Sequence, residues 1–101
     1  MSQEGFTLFA TAERLLREAE QQPSLARPAA VAALQALLVE WGLTPRGDRV
    51  VDLLEQAAET DTSLLEFRPE AAVLDRFEDT PDTAERAKVF VDAARGRLTG
   101  D

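Results

Sequence analysis

The chain has 101 residues, a formal net charge of −8 and 30% charged side chains, with neither Cys nor His. The missing Cys excludes a disulfide framework and a thiolate metal site, and the missing His removes the commonest general base and metal ligand. The basic residues are scattered without a basic run, which argues against binding of nucleic-acid phosphates or an anionic membrane surface. This length suits one domain, so we predict a single helical domain over residues 1–101 with its core between about residues 7 and 98.

The first predicted helix covers about residues 7–21. Apolar side chains recur there at spacings of three and four and would share one face: Phe9, Ala12, Leu15, Leu16 and Ala19. Pro23 has no amide hydrogen for a helical hydrogen bond, so we expect the helix to end before it.

The second predicted helix contains residues 29–39, eleven positions with a single polar side chain, Gln35, and no charge. Ser24 is the expected N-cap, Pro28 fits the first turn, and Gly42 is expected to end the helix in the left-handed conformation. A helix that is apolar on all sides has to be covered on all sides. The run therefore predicts either the central helix of a bundle or a helix shared with a second copy of the chain.

Three further helices are predicted after a turn at residues 44–47. The third begins with Asp48 as its N-cap and ends near Glu59, the fourth has Pro69 at its first position, and the fifth spans roughly residues 81–98. No segment shows the two-residue alternation of a half-buried strand. The predicted fold class is therefore all-α, an antiparallel bundle of four to five helices with short loops.

Three residues of the second helix are candidate dimer-interface residues. The amide of Gln35 needs a partner, which is either the same amide across a dimer axis or a backbone carbonyl of its own chain. Trp41, the sole tryptophan, is either an interface anchor or a residue packed at the edge of the core. Leu38 belongs to the uncharged run, and we expect Leu38→Glu or Trp41→Glu to dissociate or unfold a dimer.

The densest acidic group consists of Asp75, Glu78, Asp79 and Asp82. Carboxylates at helical spacing can hold Mg²⁺, as pairs on facing helices do in all-α nucleotide pyrophosphohydrolases. The same acids also suit the N-terminus of the fifth helix, where negative charge interacts favourably with the helix dipole. The first interpretation predicts a Mg²⁺-dependent nucleotide hydrolase, and the second requires no cofactor.

Arg68 and Arg76 are candidate ligand-binding residues at either side of the fourth helix. Their guanidinium groups could clamp a phosphate or a carboxylate. Neighbouring Glu and Asp side chains at the surface are the alternative partners.

The segments Ala33–Leu38, Asp48–Leu54 and Ala72–Phe77, followed by an Ala-rich last helix opened by Pro81, are similar in order to those of HEPN-domain proteins. That family consists of small bacterial helical bundles, and the resemblance spans roughly residues 9–98. It implies a homodimer that is either a ribonuclease toxin or the companion of a small nucleotidyltransferase in a toxin–antitoxin pair. The ribonucleases of the family carry an Arg followed four to six residues later by His. Arg76 lies in the matching region, but no His follows it.

These observations favour a non-catalytic, HEPN-like homodimeric binding or regulatory module in a toxin–antitoxin or nucleotidyltransferase-associated system. No cofactor, no direct contact with nucleic acid and no membrane are expected for it. The alternatives are the Mg²⁺-dependent hydrolase and an acidic antitoxin or mimic that neutralises a basic partner. The N-terminus is not basic and precedes no signal-peptide core, and residues 29–39 are too few to span a bilayer, so we expect a cytoplasmic protein.

Overall fold

The computed structural model describes residues 2–76 and 82–98. These residues form five α-helices, which are α1 (Gln3–Ala19), α2 (Ala26–Glu40), α3 (Val50–Ala58), α4 (Arg68–Asp75) and α5 (Thr83–Leu98). Short 3₁₀ helices lie at Pro23–Leu25 and Thr62–Phe67, and no strand occurs within the described ranges. The predicted all-α fold class is confirmed.

α1 and α2 pack against each other as an antiparallel pair. Ser2, the N-cap of α1, donates hydrogen bonds to Glu40 Oε2 at the end of α2 from its amide (2.8 Å) and its hydroxyl (3.1 Å). The same hydroxyl accepts from the amide of Gly5 at 3.1 Å, which caps α1. α1 therefore begins four residues before the predicted start at residue 7, because the cap and not the apolar pattern sets its first turn.

α2 ends in a Schellman motif at Gly42, whose φ angle is 79°. The amide of Gly42 donates to the carbonyl of Val39 at 3.0 Å, and the amide of Leu43 donates to the carbonyl of Leu38 at 2.9 Å. The predicted left-handed glycine is confirmed. It uses a backbone conformation that glycine adopts without the steric cost of a Cβ atom.

The start of α2 differs from the prediction. Residues Pro23–Leu25 form a 3₁₀ turn, so that α2 begins at Ala26 with Leu25 at the N-cap position and no side-chain cap. The prediction of Ser24 as N-cap is therefore wrong. The 3₁₀ turn leads directly into the first α-helical turn, so a capping side chain is replaced by backbone hydrogen bonds such as that from Leu25 to Gln22.

The uncharged run at residues 29–39 is mostly covered by its own chain, because α2 packs against α1, α3 and α5. Eight of its residues are buried, namely Ala29, Ala30, Ala32, Ala33, Leu34, Ala36, Leu37 and Leu38. The three others, Val31, Gln35 and Val39, are half-buried. Because they follow one another at a spacing of four, they form a single stripe along the helix.

α3, the second 3₁₀ helix and α4 lie together on another side of α2, and we refer to residues 50–75 as the α3–α4 lobe. Its apolar side chains belong to the same hydrophobic core as α2 and include Leu53, Leu54, Leu64 and Leu74. Phe67 of the lobe contacts Phe90 of α5 edge to face, with ring centroids 6.0 Å apart. The molecule thus has one core, shared between the long helices and the lobe.

Candidate functional site

The carboxylate of Asp75 connects three helices at the base of the lobe. Oδ1 accepts hydrogen bonds from the amide of Val50 at 3.0 Å and from Arg27 Nε at 3.2 Å, and Oδ2 accepts from the amide of Val51 at 2.9 Å. The side chain is only 5% exposed. A negative charge at the unpaired amides of a helix N-terminus is favourable, so Asp75 caps α3 from the end of α4.

Asp48, the predicted N-cap of α3, does not cap that helix. Arg49 occupies the N-cap position without a capping hydrogen bond from its side chain, and the carbonyl of Asp48 accepts from Arg27 Nη2 at 3.1 Å. The capping residue is an aspartate, but it lies 25 residues away from the amide it binds. Capping rules consider only neighbouring residues, so they missed both Asp75 and the guanidinium of Arg27 that supports it.

The four predicted metal ligands have separate surroundings where they are described. Asp75 already accepts three hydrogen bonds, whereas Asp82 is exposed and pairs with Arg86 at 3.1 Å. Glu78 and Asp79 lie outside the described residues. Within residues 2–76 and 82–98, no three carboxylates come close enough together to hold a metal ion.

The two candidate ligand-binding arginines lie at opposite ends of α4. Arg68 is its first residue and pairs with Glu55 of α3 at 3.3 Å, and both side chains are about half exposed. Arg76 is exposed at the C-cap. Eight residues of helix separate their Cα atoms by about 12 Å. The structure therefore gives them separate surroundings, and Arg68 has the surface partner that was the alternative to a ligand.

The three dimer-interface candidates differ in exposure. Gln35 lies in the half-buried stripe of α2, and Trp41 is half-buried at the C-cap, where it packs against the core. Leu38 is 0% exposed. A second copy therefore cannot contact Leu38 while the chain has this fold. A Leu38→Glu variant measures folding and not association.

α1 has two flanks beside its buried face. On one flank, Glu13 pairs with Arg95 of α5 at 2.9 Å, so this side of the helix faces α5. Leu8, Thr11 and Leu15 lie on the opposite flank and are all half-buried. This second flank therefore points away from α5.

α2 exposes its half-buried stripe on the same side of the molecule. Arg27 directs one side of α2 towards the lobe, and Glu40 directs another side towards Ser2 of α1. Between these two sides lies the stripe, and α1 lies next to it. We refer to the combined surface as the α1–α2 face, which consists of Leu8, Thr11, Leu15, Val31, Gln35 and Val39. None of these six side chains carries a charge, and only the threonine hydroxyl and the glutamine amide are polar. The exposed Glu4 and Glu18 lie on the same flank of α1, one on either side of the three α1 residues of the face.

A polar junction joins the start of the second 3₁₀ helix to the last turn of α5. Arg97 Nε donates to Asp61 Oδ2 at 2.7 Å, and Arg97 Nη2 donates to Ser63 Oγ at 3.0 Å. The hydroxyl of Ser63 donates to Asp61 Oδ1 at 2.6 Å. These contacts lower the pKa of Asp61 below its ordinary value. The hydrogen bond from the Ser63 hydroxyl is the largest cause, and the hydrogen bond from Arg97 is the second. No pattern of neighbouring residues in the sequence indicates this junction.

Gln56, also missed, holds the segment before α3. Its Oε1 accepts from the amide of Arg46 at 2.9 Å, and its Nε2 donates to the carbonyl of Thr44 at 2.8 Å. The side chain is 6% exposed. A buried amide with both ends bonded to one extended segment fixes that segment against α3.

A shallow depression of about 340 Å³ lies between α1 and α5. Its lining combines two cations, two anions and two apolar side chains, namely Arg17, Lys88, Glu20, Glu85, Leu16 and Ala84. Opposite charges on an open surface are strongly solvated. The depression therefore selects neither an anionic nor a cationic ligand.

None of the helices in the described part of the chain combines the length and the apolar character that a membrane crossing requires. Comparisons of the chain with protein-family models, with curated proteins and with solved structures find no match. The resemblance to HEPN-domain proteins stays a prediction.

Proposed function

We propose that the chain is a non-catalytic binding or regulatory module that acts as a homodimer, with the α1–α2 face as the contact between two copies. The observation that carries the proposal is the half-buried, uncharged stripe of Val31, Gln35 and Val39 on α2. Exposed helix surfaces in a protein this rich in charge are ordinarily polar. The stripe that α2 leaves partly uncovered between Val31 and Val39 carries no charge.

Charge favours a second copy as the partner. With a formal net charge of −8, two copies repel each other over most orientations, and the repulsion is least where the surface is uncharged. A strongly charged partner would lose hydration at the α1–α2 face without gaining an opposite charge. A second copy brings an uncharged surface of the same shape, as a two-fold interface requires.

The size of the face supports a weak dimer. α1 has 17 residues and is therefore about 25 Å long, and two adjacent helices are about 20 Å wide. A contact over this whole footprint buries about 500 Å² per copy, or about 1,000 Å² in the dimer, at the lower end of specific interfaces. The six uncharged side chains occupy its middle, from Leu8 to Leu15 on α1 and from Val31 to Val39 on α2. We therefore expect dissociation in the micromolar range.

Gln35 lies in the middle of the stripe. An amide both donates and accepts, so two copies of Gln35 related by a two-fold axis can satisfy each other. This pairing would fix the register of two otherwise mainly apolar faces, as single polar residues do in coiled coils.

The test is sedimentation equilibrium of the full chain from low to high micromolar concentration. The wild type should change from monomer to dimer, and Val39→Glu should stay monomeric because it places a charge in the contact. Val89→Glu is the matched control. Val89 is also a half-buried helical valine, but it lies on α5 near Glu70 and away from the face.

Far-ultraviolet circular dichroism establishes that both variants keep the wild-type helix content. A monomeric wild type at the highest concentration contradicts the proposal. Equal weakening of the dimer by Val39→Glu and Val89→Glu contradicts the assignment of the face, because the effect would then come from added charge alone.

A further inference from the structure

The polar attachment of the α3–α4 lobe to α2 is centred on Arg27. Its Nε binds Asp75 of α4 at 3.2 Å, and its Nη2 binds the carbonyl of Asp48, just before α3, at 3.1 Å. Asp75 in turn binds the first amides of α3. One guanidinium and one carboxylate therefore connect both helices of the lobe to α2.

The two helices of the lobe depend on each other. α3 has 9 residues and α4 has 8, and isolated helices shorter than about 12 residues are marginal in water. α3 has no cap of its own, since Asp75 of α4 supplies it. If α4 leaves, α3 loses its cap, so the two helices should form and open together.

The lobe covers an apolar side of α2. Leu34 and Leu38 follow Arg27 by seven and eleven residues, which places them on the same side of the helix as the guanidinium. They are 2% and 0% exposed. Neither residue belongs to the α1–α2 face, so they form a second uncharged strip that is closed in this structure.

We propose that the α3–α4 lobe opens and closes as one unit, that the contact between Arg27 and Asp75 is its latch, and that opening uncovers Leu34 and Leu38. The lobe then controls how much of α2 is accessible. This inference does not depend on the homodimer, because a latch acts within one chain.

Hydrogen exchange followed by NMR tests whether the lobe is one unit. Asp75→Asn keeps one acceptor oxygen but loses the second acceptor and the charge. We expect the protection factors of the amides at residues 53–58 and 71–75 to fall by a common factor of about ten or more. The protection factors in α1 and α5 should change by less than about twofold. Arg27→Gln should give the same pattern while leaving the cap of α3 in place.

Asp52→Asn is the matched control, because it removes the same charge from an exposed residue in the first turn of α3. It should leave exchange in α4 unchanged. A uniform loss of protection over all helices would contradict an independent lobe. A loss confined to Val50 and Val51 would contradict a latch and leave Asp75 as a cap only.

The absence of Cys allows a second, independent measurement. Leu38→Cys places a thiol under the lobe, and Leu37→Cys places one on a different side of α2, where the residue is also buried. Asp75→Asn should accelerate alkylation of the thiol at position 38 by the same factor as exchange in the lobe, and alkylation at position 37 by much less. Equal acceleration at both positions would overturn the proposal.

Light scattering of the same samples separates the two proposals. Lobe opening in a protein that stays monomeric supports the latch and contradicts the homodimer. A dimer in which Asp75→Asn lowers protection equally in all helices supports the homodimer and contradicts the latch.

Discussion

The pair of α1 and α2 and the α3–α4 lobe are stabilised in different ways. The long helices end at residues that lie next to them in the sequence, with Ser2 capping α1 and Gly42 ending α2. The lobe consists of two short helices whose connection depends on Asp75 and Arg27, which are distant from each other in the chain. Both regions share one apolar core, so the comparison concerns their polar restraints. We expect the locally capped pair to tolerate the loss of one polar contact better than the lobe does.

The largest expected change in the free energy of unfolding concerns two adjacent residues of α2. Leu38 is fully buried on the side of α2 that carries Arg27, whereas Val39 is half-buried in the stripe. Leu38→Ala should lower the free energy of unfolding by about 3 kcal/mol, because it removes buried apolar atoms and leaves a cavity. Val39→Ala should cost about 1 kcal/mol or less. Urea denaturation of dilute, monomeric protein measures both, and equal losses would show that the stripe is as well packed as the core.

The next largest effect should come from the latch. Asp75→Ala leaves two amides of α3 and the Arg27 guanidinium without their acceptor, which should cost about 2–3 kcal/mol. The guanidinium is 23% exposed, so water replaces part of the lost contact and the cost stays below that of a fully buried pair. Asp52→Ala, measured by the same urea denaturation, should cost less than about 0.5 kcal/mol. An equally small loss for Asp75→Ala would contradict the difference between the two regions.

Two glycines should respond to the same substitution with opposite sign. Gly42 has a φ angle of 79°, so Gly42→Ala should destabilise the protein by about 1 kcal/mol. Gly96 is within α5, and an added Cβ there would meet nothing within 4 Å. Gly96→Ala should therefore stabilise the protein by about 0.5–1 kcal/mol. Thermal unfolding monitored by circular dichroism gives both signs. A neutral Gly42→Ala would show that the local end of α2 is not an important restraint.

The smallest effect concerns pH and the junction of Asp61 with Ser63 and Arg97. The pKa of Asp61 is lowered in the folded protein, chiefly by the Ser63 hydroxyl and then by Arg97. A lowered pKa gives stability that is present above the ordinary value of 3.8 and is lost as the pH falls through the folded value. Asp61→Asn should therefore destabilise the protein at neutral pH and flatten the loss of stability in acid. Urea denaturation between pH 7 and pH 3 measures this.

Glu66→Gln is the control for that experiment, because Glu66 is exposed on the same 3₁₀ helix. It removes a negative charge without removing the junction. If both variants change the acid dependence equally, the effect comes from the net charge of the chain and not from the junction.

The sequence predicted the parts of the fold that depend on local patterns. The apolar spacing of α1 and the glycine that ends α2 were both found from neighbouring residues. Pro69 was predicted at the first position of α4 and is its second residue, because α4 begins at Arg68. The all-α fold class followed from the same patterns. Two helix starts differ from the predicted ones. α1 begins earlier because Ser2 caps it, and α2 begins later because Ser24 lies in a 3₁₀ turn and is not its cap.

The contacts that define the candidate surfaces were not predictable in this way. Asp75 was identified as a candidate metal ligand because acids surround it in the sequence, but its partners lie in α3 and α2. Arg27 gave no signal, since a single Arg in a first helical turn is ordinary. The uncharged run did predict a helix with little solvent exposure. Only the packing of α1 and the lobe shows which of its residues, including Gln35, stay accessible.

The cap that α4 supplies to α3 also orders the events of folding. During synthesis, the N-terminal segments emerge first, and α1 and α2 can pair as a hairpin through contacts that are near in sequence. α3 emerges next, but its first amides wait for a carboxylate 25 residues further along the chain. The residues of α3 should therefore acquire their native hydrogen bonds late, with low φ-values at Val50 and Val51. A nascent chain that stops before residue 75 would expose the apolar side of α2 to other proteins.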